Sequence, residues 1–153
     1  MQRRTFLHGL LTVAAALPLA VQAATKPQIT VYKTPTCGCC KDWVDHLEQN
    51  GFRVVVHDVP STAPYRTKFG VPTDLGSCHT GVVAGYALEG HVPASEIQRL
   101  LAERPKARGL AVPGMPIGSP GMEVEGSRRD PFDVLLFADD DSRKVYQRYA
   151  ARN

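Results

Sequence analysis

Little in this chain points to a charged or lipid partner. Its 153 residues carry 18 basic side chains against 15 acidic ones, and Arg3 and Arg4 account for nearly all of the excess. A surface so close to neutral lacks the electrostatic footprint of a nucleic-acid or anionic-membrane binder. No repeat period runs through the sequence, which excludes a stacked-repeat architecture. Beyond residue 23 no apolar stretch is long enough to span a bilayer. Sulfur is scarce too, with 4 cysteines and 3 methionines including the start residue. A four-thiolate iron–sulfur cluster would consume every cysteine in the chain.

What is present begins with an export leader. "MQRRTFLHGLLTVAAALPLAVQA" has a basic start, an apolar run from Phe6 to Val21 and the small-residue ending Val21-Gln22-Ala23, the pattern of a cleaved signal. "RRTFL" is similar to a twin-arginine signal, although Gln2 and His8 stand where that signal favours other residues, so a Sec signal is the alternative. The expected mature chain, residues 24–153, is one domain with a modest core. Its expected destination is the bacterial periplasm, where paired cysteines oxidise. Two structural disulfides, Cys37–Cys40 and Cys39–Cys78, are therefore one reading of the four cysteines.

Residues 28–34 alternate as a strand that Pro35 stops. "CKDWVDHLEQNGF" follows with Trp43, Val44 and Leu47 at helical spacing, closed by Asn50-Gly51. Residues 52–59 read as a second strand, whose three consecutive valines predict burial. "TAPYRTKFGV" is a short helix. Residues 80–92 form two strands around a turn, and Pro93 opens a helix with Ile97, Leu100 and Leu101 on one face, which Pro105 ends. From Lys106 to Pro131 the pattern is Gly/Pro-rich and irregular. "FDVLLFADDDSRKVYQRYA" closes the chain as a hairpin whose Asp139–Asp141 run is a solvated turn. The order β-α-β-α-β-β-α, with a Cys-x-x-Cys where the first strand meets the first helix, matches a thioredoxin-like α/β fold. The loop and hairpin are additions to it. Val71-Pro72-Thr73 invites comparison with the cis-proline that faces thioredoxin cysteines.

"TPTCGCCKDW" packs Cys37, Cys39 and Cys40 into four positions at a helix N-terminus. The unpaired amides and the dipole there favour thiolate. Cys37 and Cys40 alone would suit thiol–disulfide exchange, with Cys37 attacking and Cys40 resolving. A third thiol between them invites the wrong disulfide, and this favours metal. Soft thiolates select Cu(I), zinc or an iron–sulfur cluster. Zinc would want a closed set of four, which Cys78 or His79 can complete. Adjacent Cys39 and Cys40 point in different directions, which suits bridging more than one Cu(I) better than chelating a single ion. Met115 and Met122 offer thioethers, ligands for Cu(I) or simply packing groups. His79, next to Cys78, and His91, at a predicted strand end, are candidate nitrogen ligands, with Glu89 expected to orient His91. His46 and His57 read as local packing or surface residues.

"TPTCGCCKDW", "SCHT", "YALEGHVP" and "GLAVPGMPIGSPGME", in that order, resemble the CopG-like periplasmic metal-binding family, long catalogued as a domain of unknown function. The resemblance covers most of the mature chain. It implies a thioredoxin-like fold, a role in bacterial copper resistance alongside other periplasmic copper-resistance proteins, and copper held at Cys37, Cys39 and Cys40. Cys78 and His79 fall in the second of its motifs. Turnover between Cu(I) and Cu(II) is a further expectation.

Overall fold

The computed structural model describes residues 25–126 and 128–152. The expected leader, residues 1–23, lies outside the described residues. β1 (Gln28–Lys33) buries Ile29 and Val31 and leaves Thr30 and Tyr32 half-buried. α1 (Gly38–Gln49) starts from Cys37 as its N-cap and buries Cys40, Trp43, Val44 and Leu47. Those intervals of three and four place one stripe against the sheet. β2 (Arg53–Asp58) pairs parallel with β1, as a βα crossover requires. It is an edge strand, so its valines are less covered than their run predicts: Val54 and Val55 are half-buried and Val56 is exposed.

α2 (Ala63–Lys68) and a 3-10 turn (Thr73–Leu75) lead into β3 (His79–Val83) and β4 (Tyr86–Glu89). α3 (Ala94–Glu103) follows, with Pro93 as its N-cap. Next come β5 (Gly109–Ala111), β6 (Phe132–Phe137) and β7 (Arg143–Tyr149). The strands form one seven-stranded mixed sheet in the order β2-β1-β3-β4-β5-β6-β7. Tyr32 stacks on Tyr65 of α2, with ring centroids 4.0 Å apart. The neighbouring Ile29 and Val31 belong instead to the main core with Trp43, Leu47, Ile97 and Leu100 of α1 and α3. No peptide bond among the described residues is cis, so Pro72 does not share the geometry of the proline to which it was compared.

The Gly/Pro-rich stretch is less irregular than its composition predicts. β5 lies inside it and pairs parallel with β4 and antiparallel with β6. Three residues are too few to show a period. Gly109 permits the pairing, because a Cβ there would overlap the Ala87 carbonyl. Through β5 the C-terminal hairpin continues the same sheet, and Phe137 joins Val71, Leu75, Ala87 and Ala111 in a second core cluster.

His46 links α1 to α3: its Nε2 accepts a hydrogen bond from the Ala94 amide, 3.1 Å away, at the start of α3. Half-buried, it is held below the usual imidazole range by burial, which outweighs the opposing charge of Glu123. With its folded value below the unfolded value of about 6.5, the unfolded chain takes up the proton first. The stability contributed by neutral His46 is thus complete above that pH. It is lost as pH falls through the unfolded and then the folded value. Urea unfolding at pH 7 and pH 5 should show a smaller acid loss in His46→Leu than in the parent. The variant should start about 1 kcal/mol lower at pH 7 for the missing acceptor. An equal acid loss in both proteins would remove His46 from this account.

Candidate metal centre

The first turn of α1 carries three of the four cysteines. Thr34-Pro35-Thr36 forms a turn, with the Cys37 amide donating to the Thr34 carbonyl over 3.2 Å. Cys40 falls on the buried stripe of α1, whereas Cys39 sits one residue off it and is half-buried. This is the divergence of adjacent side chains expected on a helix. Cys37 and Cys40 are joined by a disulfide, and Cys39 and Cys78 are free thiols. The second pairing of the two-disulfide reading is therefore not made. Cys39 Sγ lies 3.6 Å from Cys37 Sγ.

Cys78 arrives from the residue before β3. The four sulfurs all lie within 4.8 Å of one another. Cys78 Sγ also lies 3.3 Å from His79 Nδ1 and 3.1 Å from His91 Nε2. The Cys78 thiol is pushed up to about 12, first by burial and then by Cys39. That is opposite to the thiolate character expected of cysteines at a helix N-terminus: Cys78 lies off the helix, and burial and the neighbouring Cys39 both oppose its charged form. Both imidazoles are fully buried. Burial, then the neighbouring His91, lowers His79 to about 3, and burial lowers His91. Both rings are therefore neutral at ordinary pH, the form that donates a lone pair to a metal.

Glu89 does not orient His91. Its carboxylate accepts from the Ser77 amide at 2.6 Å, the Thr80 hydroxyl at 2.7 Å and Arg66 Nε at 2.9 Å. Arg66 also donates to the Ser77 carbonyl at 2.7 Å. This buried ion pair thus holds both backbone groups of Ser77, directly before Cys78. The separation of Glu89 from His91 originates at Gly90, whose φ of +71° ends the strand alternation. A side chain at that position would meet the Val112 carbonyl and Ser77. His91 turns instead toward the 112–122 loop, where its Nδ1 donates to the Pro120 carbonyl over 2.8 Å.

The loop bearing both methionines is tied to the same place. Ser77 Oγ donates to the Gly114 carbonyl over 2.6 Å, one residue before Met115. Gly121 lies on the first turn of α1, where a Cβ would come within 2.8 Å of the Cys39 carbonyl and 2.6 Å of the Trp43 amide. Met122 is half-buried beside it, and Met115 is 54% exposed. His57 stacks against Tyr32, a packing role as expected, whereas His46 reaches beyond its own helix to the Ala94 amide at the start of α3.

Two donor groups therefore meet at Cys78: Cys37, Cys39, Cys40 and Cys78 in one, and Cys78, His79 and His91 in the other. Sequence reasoning did not find Arg66 or the Pro120 carbonyl. The single signal for the first was a lone carboxylate, Glu89, in an otherwise apolar strand, which requires a buried partner.

Residues 75–122, which include Cys78, His79, His91 and both loop methionines, match a family described as a protein of unknown function, DUF411. No curated protein matches the chain. Two solved structures, of copper resistance protein copG in form 2 and form 1, are each 45% identical to it with a TM-score of 0.76. Each comparison covers 80% of this chain and 98% or 97% of the other. At that identity, over nearly the whole length of those chains and with the four cysteines gathered at one point, the protein belongs to the CopG copper-resistance family.

Proposed function

We propose that this protein handles copper in the bacterial periplasm, holding Cu(I) at Cys37, Cys39 and Cys40 with Cys78. The observation that carries the reading is the convergence of four sulfurs within 4.8 Å from two separated segments. Sulfur donors favour Cu(I), and a group in which adjacent cysteines diverge suits bridging several ions rather than enclosing one. Met115 and Met122, on a loop seated against the site, supply thioether ligation, and His79 and His91 flank Cys78. The name of the solved relatives supports copper resistance as the setting.

The domain, residues 24–153, follows cleavage of the leader at residue 23 by the Tat or Sec route. Parallel β1 and β2 around α1, then antiparallel β3 and β4 with α3, support a thioredoxin-like core extended by β5 to β7. Other copper-resistance proteins of the periplasm are the expected exchange partners.

Redox turnover of copper is part of the proposal. Two Cu(II) ions can each take one electron from the Cys37 and Cys40 thiolates, giving two Cu(I) and the disulfide. With the disulfide closed, two of the four sulfurs are withdrawn from the soft site, so oxidation state and copper occupancy are linked.

An anaerobic Cu(I) titration of reduced residues 24–153 against a competing chelator, with ions counted by native mass spectrometry, tests the reading. The expected result is tight binding of more than one Cu(I). Failure to draw copper from the chelator would overturn it.

The Cys37–Cys40 disulfide favours a second reading, a thiol–disulfide oxidoreductase. On that reading Cys39→Ser keeps disulfide exchange and Cys37→Ser abolishes it.

A further inference from the structure

We infer that Met115, Ile117 and Val124 form a docking surface for a protein that carries Cu(I) at a site ringed by lysine or arginine. The inference rests on the copper-handling reading for its cargo and on the loop itself for the surface. Among the described residues five large apolar side chains are exposed. Val56 and Val145 lie on the two edge strands, whereas Met115, Ile117 and Val124, at 54%, 40% and 57%, fall close together on one loop. Single exposed apolar residues are ordinary, but several gathered beside a ligand site mark an interaction surface.

The loop is not held loosely. The Gly118, Ser119 and Met122 amides donate to the Met122, Pro116 and Ser119 carbonyls, and the Asp130 amide donates to the Ile117 carbonyl. Pro113, Pro116 and Pro120 fix further backbone angles. The apolar groups are thus presented on an ordered backbone, which lowers the entropy cost of a contact. Two anchors place the surface. Ser77 holds Gly114 directly beside Cys78, and Gly121 sits against the Cys39 carbonyl. It therefore borders the two free, half-buried thiols.

The rim of this surface is acidic. Glu123 and Glu125 flank Val124, and Asp42 is exposed on α1 next to Trp43, whose amide meets Gly121. Among the described residues none of these three carboxylates has a basic side chain within ion-pair distance, while Lys41 and Arg128 are taken up by Asp45 and Asp130. The charge decides between occupants. A second copy would bring an identical acidic rim against this one, and an anionic lipid surface would be repelled. A partner with basic groups around an apolar centre fits both features. The patch is small, which suits a transient contact. Transfer is an exchange of donors: Cu(I) keeps its oxidation state and leaves the partner's ligands for the Met115 thioether and then the thiolates, whose protons go to solvent.

Stopped-flow transfer of Cu(I) to reduced residues 24–153 tests the inference. The donors are two synthetic peptides that share a Met-x-x-Met segment and differ only in flanking lysines or glutamates. The lysine peptide should deliver more than about 10-fold faster at low salt. The gap should close at about 1 M of a non-coordinating salt, where charges are screened within roughly 3 Å. Asp42→Lys, Glu123→Lys and Glu125→Lys together should reverse the preference. If that variant is unfolded, Glu125→Lys alone, which has no hydrogen bond to lose, should narrow the gap. Ile117→Ser with Val124→Ser should slow delivery about 10-fold at either salt. None of these residues is a metal donor, so affinity for Cu(I) against the chelator should match the parent, and near-UV circular dichroism from Trp43 checks the fold. Equal rates from both peptides, or an unchanged rate in the apolar variant, would overturn the inference and leave the copper reading standing. Parent protein that draws no Cu(I) from either peptide or from the chelator would sink that reading and the inference with it. A dimer in sedimentation velocity, or binding to anionic vesicles, that Ile117→Ser with Val124→Ser abolishes would give the surface to another occupant and overturn the inference.

Discussion

Cys39→Ser should abolish high-affinity Cu(I) binding by the reduced protein while leaving the fold intact. Serine oxygen is a hard donor that Cu(I) does not favour. Loss of a direct ligand should exceed the roughly 10–100-fold cost of altering a residue behind one, so the expected loss is more than ~100-fold. The substitution is otherwise mild. Cys39 is half-buried, outside the Cys37–Cys40 disulfide and off the buried stripe of α1. Its replacement should change stability by no more than about 0.5 kcal/mol. The same competition titration reads the affinity, and urea unfolding of the disulfide form reads the stability. An unchanged number of bound Cu(I) ions would show that Cys37, Cys40 and Cys78 suffice, and the Cys-x-Cys-Cys arrangement would lose its explanation. Retained disulfide exchange together with unchanged copper binding would favour the oxidoreductase reading.

The largest stability effect is expected at a residue that is not itself a metal donor, Glu89. The residue is wholly buried and accepts hydrogen bonds from Arg66, Ser77 and Thr80. Replacing it with alanine leaves the Arg66 charge, whose side chain is only 18% exposed, without its partner. It also strips the Ser77 amide and the Thr80 hydroxyl of their acceptor. Breaking one side of a buried pair costs about 3–5 kcal/mol, because the abandoned charge stays desolvated. For a domain of this size that is a large part of the total. Glu89→Gln keeps the shape but not the charge and should fall between alanine and the parent. Adding Arg66→Met to Glu89→Gln should recover part of the loss, the coupling expected of residues in direct contact. Since Arg66 and Glu89 hold Ser77, these variants should also expose Cys78. In a Cys39→Ser background, where Cys78 is the only free thiol, its alkylation should quicken. A loss below 1 kcal/mol with unchanged alkylation would mean that the pair neither stabilises the domain nor places Cys78.

Much of this arrangement was legible because short-range physics leaves short-range marks. Ile29 and Val31 alternate as a buried strand face does, and Cys40, Trp43, Val44 and Leu47 keep the spacing of one helix face. The break at Pro35 placed the cysteines between the two. β5 was illegible because three residues carry no period, and its pairing depends on Gly109 meeting Ala87 of a strand formed much earlier in the chain. The edge position of β2 was hidden for a related reason. Three valines declare a strand but not how many neighbours it will have.

The same division runs through the site. Sequence alone determined the donor chemistry: which sulfurs and imidazoles exist, that three thiols share one helical turn, and that Cys78 and His79 travel together. These follow from residue identity and from the 3.6-residue period of a helix. Tertiary structure decided which donors meet. Pairing of β1 with β3 carries Cys78 to the N-terminus of α1, and the left-handed Gly90 turns His91 toward Cys78 and away from Glu89. It also assigned Glu89 to Arg66 and Ser77 rather than to a histidine. A side chain's partners across a sheet depend on strand order, register and one backbone angle, which pairings distant in sequence set together.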